Sequence, residues 1–206
     1  MKNVSNSIIV TRHADLILLL EKWGLVTPDT PRIEHTDNIE DVRGRDVIGV
    51  CPAKLAIYAN SVTEVPLAIP RELRGQELSI EELETMASAP ITYEVRQMET
   101  RTDFSEAILA SIATTFIQYV IRHNIMPRGG EQHMRAVRMN GHVKREEIID
   151  KPVFGHLPYH MAQYALDMST ITLYYDFERR GKVHTYEEML KYNPQIMTYS
   201  VKAISS

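Results

Sequence analysis

The chain has 206 residues, of which 44% are hydrophobic and 24% charged, with a net charge of −4. That balance excludes a disordered protein, and the length allows one domain or two small ones. The longest apolar run, "LILLL" at 16–20, is far too short to span a bilayer and no basic-then-apolar leader opens the chain, so a cytoplasmic protein with no membrane partner is expected.

A single cysteine, Cys51, excludes an internal disulfide and has no Cys partner for a zinc site. Residues 1–101 carry 11 basic and 16 acidic side chains, against 12 and 11 over 102–206. Neither half has the positive field needed to grip long nucleic acid. A small anion held by a few placed cations remains compatible with these charges.

In chain order, Ile8–Val10 reads as a short buried strand. Ala14–Trp23 reads as a helix with apolar residues at 16, 19, 20 and 23, and Gly24 suits its C-terminal cap. Residues 31–36 predict a weak strand and "DVIGV" (46–50) a second buried one. Pro52, taken as the first helical residue, opens a helix through Asn60. "EVPLAI" (64–69) predicts a third strand, "PRELRGQEL" (70–78) a loop, and Ser79 with Glu82 a capping box that opens a helix over 80–87. "ITYEVRQM" (91–98) is the last strand of this set. The acidic cluster Glu81, Glu82 and Glu84 reads as a solvated helix face.

The set then recurs. Residues 46–98 align with 152–204 without a gap at a constant offset of 106, with fifteen identities. They include Gly49/Gly155, Pro52/Pro158, Arg74/Arg180, Gly75/Gly181 and Tyr93/Tyr199. Thr185 and Glu188 repeat the capping box. Upstream the offset falls to 100, and the extra residues fall around "PRGGEQHMRAVRMNGHVK" (127–144), read as a longer surface loop. Two domains are therefore expected, 1–101 and 102–206. Strands alternating with helices imply mainly parallel sheets with right-handed crossovers, hence two tandem Rossmann-like α/β units.

In such sheets ligands bind beyond the carboxyl ends of the strands. Thr11, Arg12 and His13 fall there, between the first strand and its helix, where unsatisfied N–H groups favour an anion. Arginine offers bidentate phosphate recognition, and histidine a proton near neutral pH. A solvated turn would show the same pair.

"VTRH" after the first strand, "DVIGVCPAKLA" at the second and "LAIPRELRGQELSIEEL" after the third, taken together over residues 7–98, resemble the small CRISPR-associated family of type III systems described by its VTRH motif (Csx, sixteenth type). The resemblance implies a CRISPR-associated Rossmann (CARF-like) fold and a ring nuclease. Such an enzyme cuts cyclic oligoadenylate messengers, cyclic tetra-adenylate being the expected ring. It uses no metal and no cofactor: the ribose 2′-hydroxyl attacks the adjacent phosphate. The family acts as homodimers, so the duplicated chain implies a pseudo-dimer, either monomeric or paired again, with the ring between its strand tips.

Carried over, Arg12 would clamp phosphate, His13 would be the acid/base group and Thr11 a hydrogen-bond donor. Gly49 would allow close backbone approach, the N–H groups around Ala53 and Lys54 would hold phosphate or ribose, and Arg71, Arg74 and Gly75 would cover the ligand. In the second copy Gly155, Arg180 and Gly181 repeat binding positions. There Ser111 keeps the hydroxyl, but Ile112 and Ala113 replace the arginine and histidine. His156 replaces Val50 and His160 replaces Lys54, so His156 becomes a catalytic candidate and His160 a binding one. Their spacing of four could suit a metal, but His156 precedes the helix and no nearby acid completes a set. His133 and His142 read as solvent-facing loop residues. Two other functions fit the same features: a protein that sequesters the ring without cutting it, and a structural or regulatory subunit.

Overall fold

The computed structural model describes residues 6–73, 76, 78–111, 114–125, 143–173 and 185–205. The chain divides into two compact units, Met1–Val95 with Lys202–Ser206, and Arg96–Val201. Both are α/β with mostly parallel strands.

The first unit runs β1 (Ser7–Val10), α1 (Ala14–Lys22), β2 (Arg32–Ile33), α2 (Ile39–Val42), β3 (Asp46–Gly49), α3 (Ala53–Ala56), β4 (Ser61–Glu64), α4 (Ile80–Met86) and β5 (Ile91–Met98). Its strands lie in the order β2-β1-β3-β4-β5. The first four pair in parallel and β5 joins β4 antiparallel. The core forms because α1 presents Leu16, Leu19 and Leu20 along one stripe, against Ile9 and Ile48 of the sheet and Leu78 and Leu83 from the α4 region. Gly24 ends α1 in the left-handed conformation at φ +69°, as a C-terminal glycine does. The capping box at Ser79 and Glu82 is formed.

Three elements differ from the sequence expectation. The third strand is Ser61–Glu64, not 64–69, where only Leu67 bridges to Ala87. Pro66 has no N–H to give a ladder. Upstream, the pairing is secured by Ser61 Oγ donating to Asp46 Oδ1 at 2.7 Å and by the Thr63 and Thr92 hydroxyls at 3.0 Å. The helix after Pro52 ends at Ala56, and Pro52 is its extended N-cap rather than its first residue. The chain stops winding there because Gly44 N donates to Tyr58 O at 2.9 Å and Asn60 N to Arg45 O at 2.8 Å, which steer it into β4. The expected loop at 70–78 holds a 3-10 turn at Arg71–Leu73. One further helix, α2, follows Asn38, whose side chain accepts the Glu40 N–H at 3.1 Å.

The second unit runs β6 (Ile108–Ala110), α5 (Thr114–Arg122), α6 (Arg145–Ile148), β7 (Pro152–Gly155), α7 (Tyr159–Ala162), β8 (Asp167–Thr172), α8 (Tyr186–Leu190) and β9 (Gln195–Ser205). β6, β7 and β8 pair in parallel and β9 joins β8 antiparallel. One core cluster joins Leu109, Phe154 and Ile171 of the strands to Phe116, Ile117 and Val120 of α5 and Met189 of α8. Another holds Ile108, Ala110 and Val153 with Ile148 of α6. Arg101 closes the start of this unit through Nε, 3.1 Å from both carboxylate oxygens of Asp167.

The registers recur at the sequence offsets. Ile9 faces Ile48 and Leu109 faces Phe154; Val62 faces Tyr93 and Met168 faces Tyr199. Tyr93 and Tyr199 are both 0% exposed. The Thr63–Thr92 hydroxyl pair has its counterpart in Ser169–Thr198 at 2.8 Å. Thr185 caps α8 as Ser79 caps α4. The expected long loop of the second half, with His133 and the buried-or-exposed state of His142, lies outside the described residues. No helix among the described residues is long and apolar enough to cross a membrane.

Candidate functional site at the strand tips

The chain leaves β1 for β2 on one side and returns to β3 on the other. The β1/β3 border is therefore the topological switch point of the first unit, where open α/β sheets form their ligand crevice. Arg12, His13 and Val50 to Pro52 follow directly from these two strands.

The turn after β1 is tightly held. Thr11 N donates to Ile33 O at 3.1 Å, and the buried Thr11 hydroxyl accepts the His13 N–H at 3.2 Å. Arg12 and His13 are exposed. His13 occupies the N-cap of α1 without a side-chain capping bond, where Ser, Thr, Asp or Asn would ordinarily close the helix end. The nine-residue α1 thus offers uncapped first-turn N–H groups beside a guanidinium and an imidazole.

Gly49 carries the chain past β1 at φ +116°; a Cβ here would lie 2.3 Å from Val10 O. That same oxygen accepts Val50 N at 2.9 Å. Val50 stands 67% exposed at the tip. Ala53 and Lys54 begin α3, a helix of four residues with no side-chain cap. Its Leu55 and Ala56 N–H groups are spent on Pro52 O at 2.8 and 2.9 Å. A single turn sums little dipole, so the anion-attracting helix end of this unit is α1. Lys54 Nζ lies 3.7 Å from Asp37 Oδ1, with both side chains about a quarter exposed (23% and 25%). Asp37 is a tip residue that sequence reasoning missed; it sits in the polar turn that caps α2, and only tertiary folding brings it to Lys54. Arg71 opens the 3-10 turn. Arg74 and Gly75, and in the second unit Arg180 and Gly181, lie outside the described residues. Glu82 is used in the α4 cap, and Glu84 pairs with Lys22 at 2.7 Å, a hydrogen bond that lowers the Glu84 pKa.

The second unit has a matching tip with other chemistry. Ser111, half-buried, follows β6, while Ile112 and Ala113 lie outside the described residues. Gly155 repeats the close approach at φ +146°, with a Cβ position 2.1 Å from Ala110 O, and His156 N donates to that oxygen at 2.9 Å. The His156 ring meets Thr170 Oγ1 with Nε2 at 2.9 Å and the edge of Phe116 at 5.7 Å between centroids. By surface area His156 is exposed, yet protein crowds its ring, and this burial lowers the imidazole pKa. Burial also lowers the pKa of His160, half-buried on α7. Thr170 and Phe116 are the residues of this tip that the sequence reading passed over. The repeat held a signal for Thr170, which stands opposite Glu64 at the offset that sets His156 against Val50. Among the described residues no three His, Cys, Asp or Glu side chains gather as a metal-binding group.

The fold and its tips define an α/β protein whose first unit presents a cation and an imidazole at its switch point. Residues 8–96, most of that unit, match the model of a family described as "Putative CRISPR-associated protein (Cas_VVA1548)". No curated protein and no solved structure matches the chain.

Proposed function

We propose that the protein is a metal-independent ring nuclease of type III CRISPR systems, related to the VTRH-motif family, that binds and cuts cyclic oligoadenylate, with cyclic tetra-adenylate as its substrate. Its two halves are read as diverged copies of one Rossmann-like, CARF-like unit that work as a pseudo-dimer. The recurrent strand registers and the paired Gly49 and Gly155 approaches support that reading.

The observation that carries the proposal is the exposed Arg12–His13 pair at the uncapped start of α1, inside the segment that matches a CRISPR-associated family. A polyanionic ring with a 2′-hydroxyl beside every phosphate suits such a site. In the reaction the O2′–P bond forms and the P–O5′ bond breaks. A base takes the 2′ proton, and the leaving oxygen gains one. Holding the attacking oxygen in line and stabilising charge on the phosphorane are the tasks of the protein. Arg12 serves the second task; His13 and His156 are the proton-handling candidates.

The test is incubation with cyclic tetra-adenylate, with and without chelator, followed by separation of products. Linear products with a 2′,3′-cyclic phosphate, formed equally in chelator, are expected. A ring that stays intact but is bound tightly would replace the nuclease with a sequestering protein. Absence of any ligand-induced rise in melting temperature would leave only a structural or regulatory role.

A further inference from the structure

We propose that Thr170 is a positioning residue for His156: its hydroxyl accepts the Nε2–H, which leaves Nδ1 as the bare ring nitrogen that takes up a proton at the tip of the second unit. The inference rests on the nuclease reading only for the identity of the reaction. There, the 2′ proton would pass to Nδ1 as the O2′–P bond forms and the P–O5′ bond breaks, the leaving oxygen taking a proton from water.

Three constraints fix the imidazole. Its backbone is pinned, because Gly155 lies against Ala110 O and the next N–H, that of His156, donates to the same oxygen at 2.9 Å. One ring face is bounded by Phe116 in an edge-on contact. The third constraint is Thr170, with Oγ1 at 2.9 Å from Nε2 and 3.5 Å from Nδ1, so the bond belongs to Nε2. Thr170 is 6% exposed and lies inside β8, paired with Met197 of β9. A β-branched side chain in a central strand has little χ1 freedom, so its hydroxyl is a fixed point.

A neutral imidazole carries its proton on one nitrogen, and the partner of that nitrogen decides which one is bare. The same logic, with a hydrogen-bond acceptor orienting a histidine whose other nitrogen acts as base, underlies hydrolytic triads. The crowding that lowers the His156 pKa favours the neutral ring that such a base needs. The first unit has no equivalent, since Val50 and Glu64 occupy the two positions.

The experiment uses the full chain with 15N-labelled histidine. Long-range 1H–15N correlation at pH 7.5 should show His156 with a bare Nδ1 and a slowly exchanging proton on Nε2. That proton signal should vanish in Thr170→Ala and Thr170→Val and return in Thr170→Ser. With cyclic tetra-adenylate, Thr170→Ala should lose roughly 10–100-fold in kcat, as misplacement of a reacting group does, with KM within about 2-fold and recovery in Thr170→Ser. Thr170→Ala added to His156→Gln should cost nothing more.

A His156 ring protonated on Nδ1, or an Nε2 proton indifferent to Thr170→Ala, overturns the proposal. So does wild-type kcat in Thr170→Ala from a protein that cuts the ring. If the wild-type protein does not cut the ring, the nuclease reading fails and the NMR result alone decides the Thr170 assignment. Should Thr170→Val fail to fold, Thr170→Ala and Thr170→Ser still decide it.

Discussion

Replacing Gly49 by alanine tests whether the strand tips are built on a close backbone approach. The new Cβ would stand 2.3 Å from Val10 O, a distance that real Cβ atoms do not adopt, and the obstacle is backbone rather than a side-chain end that could swing aside. At φ +116° the residue is also in a region that L side chains rarely enter. Such strain costs about 1–3 kcal/mol. Retreat of β3 from β1 would weaken the 2.9 Å Val50 N to Val10 O bond, adding about 1 kcal/mol. A total of about 2–4 kcal/mol corresponds to a fall of roughly 5–15 °C in Tm for a chain of this size. Gly155→Ala should cost at least as much, its Cβ position being 2.1 Å from Ala110 O. Gly24→Ala is the control. It shares a positive φ of +69° but meets nothing within 4 Å, so only the left-handed penalty of about 1–2 kcal/mol applies. Thermal unfolding followed by circular dichroism measures all three. If Gly49→Ala melts no lower than Gly24→Ala, the close approach is not what fixes glycine at the tip.

Other outcomes follow from the same contacts. Arg12→Ala should weaken cyclic tetra-adenylate binding by about 10-fold or more, the worth of a charge-assisted hydrogen bond, whereas His13→Ala should slow cleavage and leave binding nearly intact; titration calorimetry with a ring-cleavage assay separates the two, and full activity in both variants removes them from the mechanism. Arg101→Ala strips the partner from Asp167, whose side chain is 11% exposed, and should destabilise the protein by about 3 kcal/mol; a urea midpoint unchanged from wild type would show that water replaces the guanidinium at no cost. His156 and His160 have pKa values lowered by burial, so the folded state binds fewer protons than the unfolded chain. Stability from these groups is present above the ordinary histidine value of 6.5 and is lost as the pH falls through their lower folded values. Urea unfolding between pH 7.5 and 5 should therefore show a fall that is shallower in His156→Gln; an identical slope in that variant refutes the assignment.

The sequence was most legible where the rule is local. Periodicity at Leu16, Leu19 and Leu20 marks α1, and the Ser79/Glu82 and Thr185/Glu188 boxes mark α4 and α8, because each signal lies within one or two helical turns. The third strand was misplaced because β-branched Val65 and apolar Leu67 look like a strand, while the pairing that decides it comes from Asp46 and Thr92, far off in the chain. The antiparallel entry of β5 was hidden for a similar reason: α4 intervenes as a crossover helix would, yet the following strand returns in the opposite sense. At the tips, Thr11, Arg12 and His13 could be found from their position after β1. Thr170 and Asp37 could not be found that way, since each acts through a partner brought near only by strand register or a tertiary turn.

The recurrence of one backbone with two chemistries explains why the tip residues differ in kind. Gly49 and Gly155 do the same work, each passing its following N–H to the last carbonyl of the neighbouring strand. The next side chain is therefore delivered to the same place in each unit, as an exposed valine in one and a histidine bonded to Thr170 in the other. At both positions the glycine is set by backbone geometry, which leaves no room for a Cβ, but the side chain that follows is not bound by that constraint. The histidine at this place in the second unit is held by Thr170, where the first unit has Glu64 at the corresponding position. The second unit carries Ile112 and Ala113 in sequence where the first has Arg12 and His13, and its strands pair in the same parallel and antiparallel senses. The backbone that forms the tips is thus fixed independently of the side chains they present.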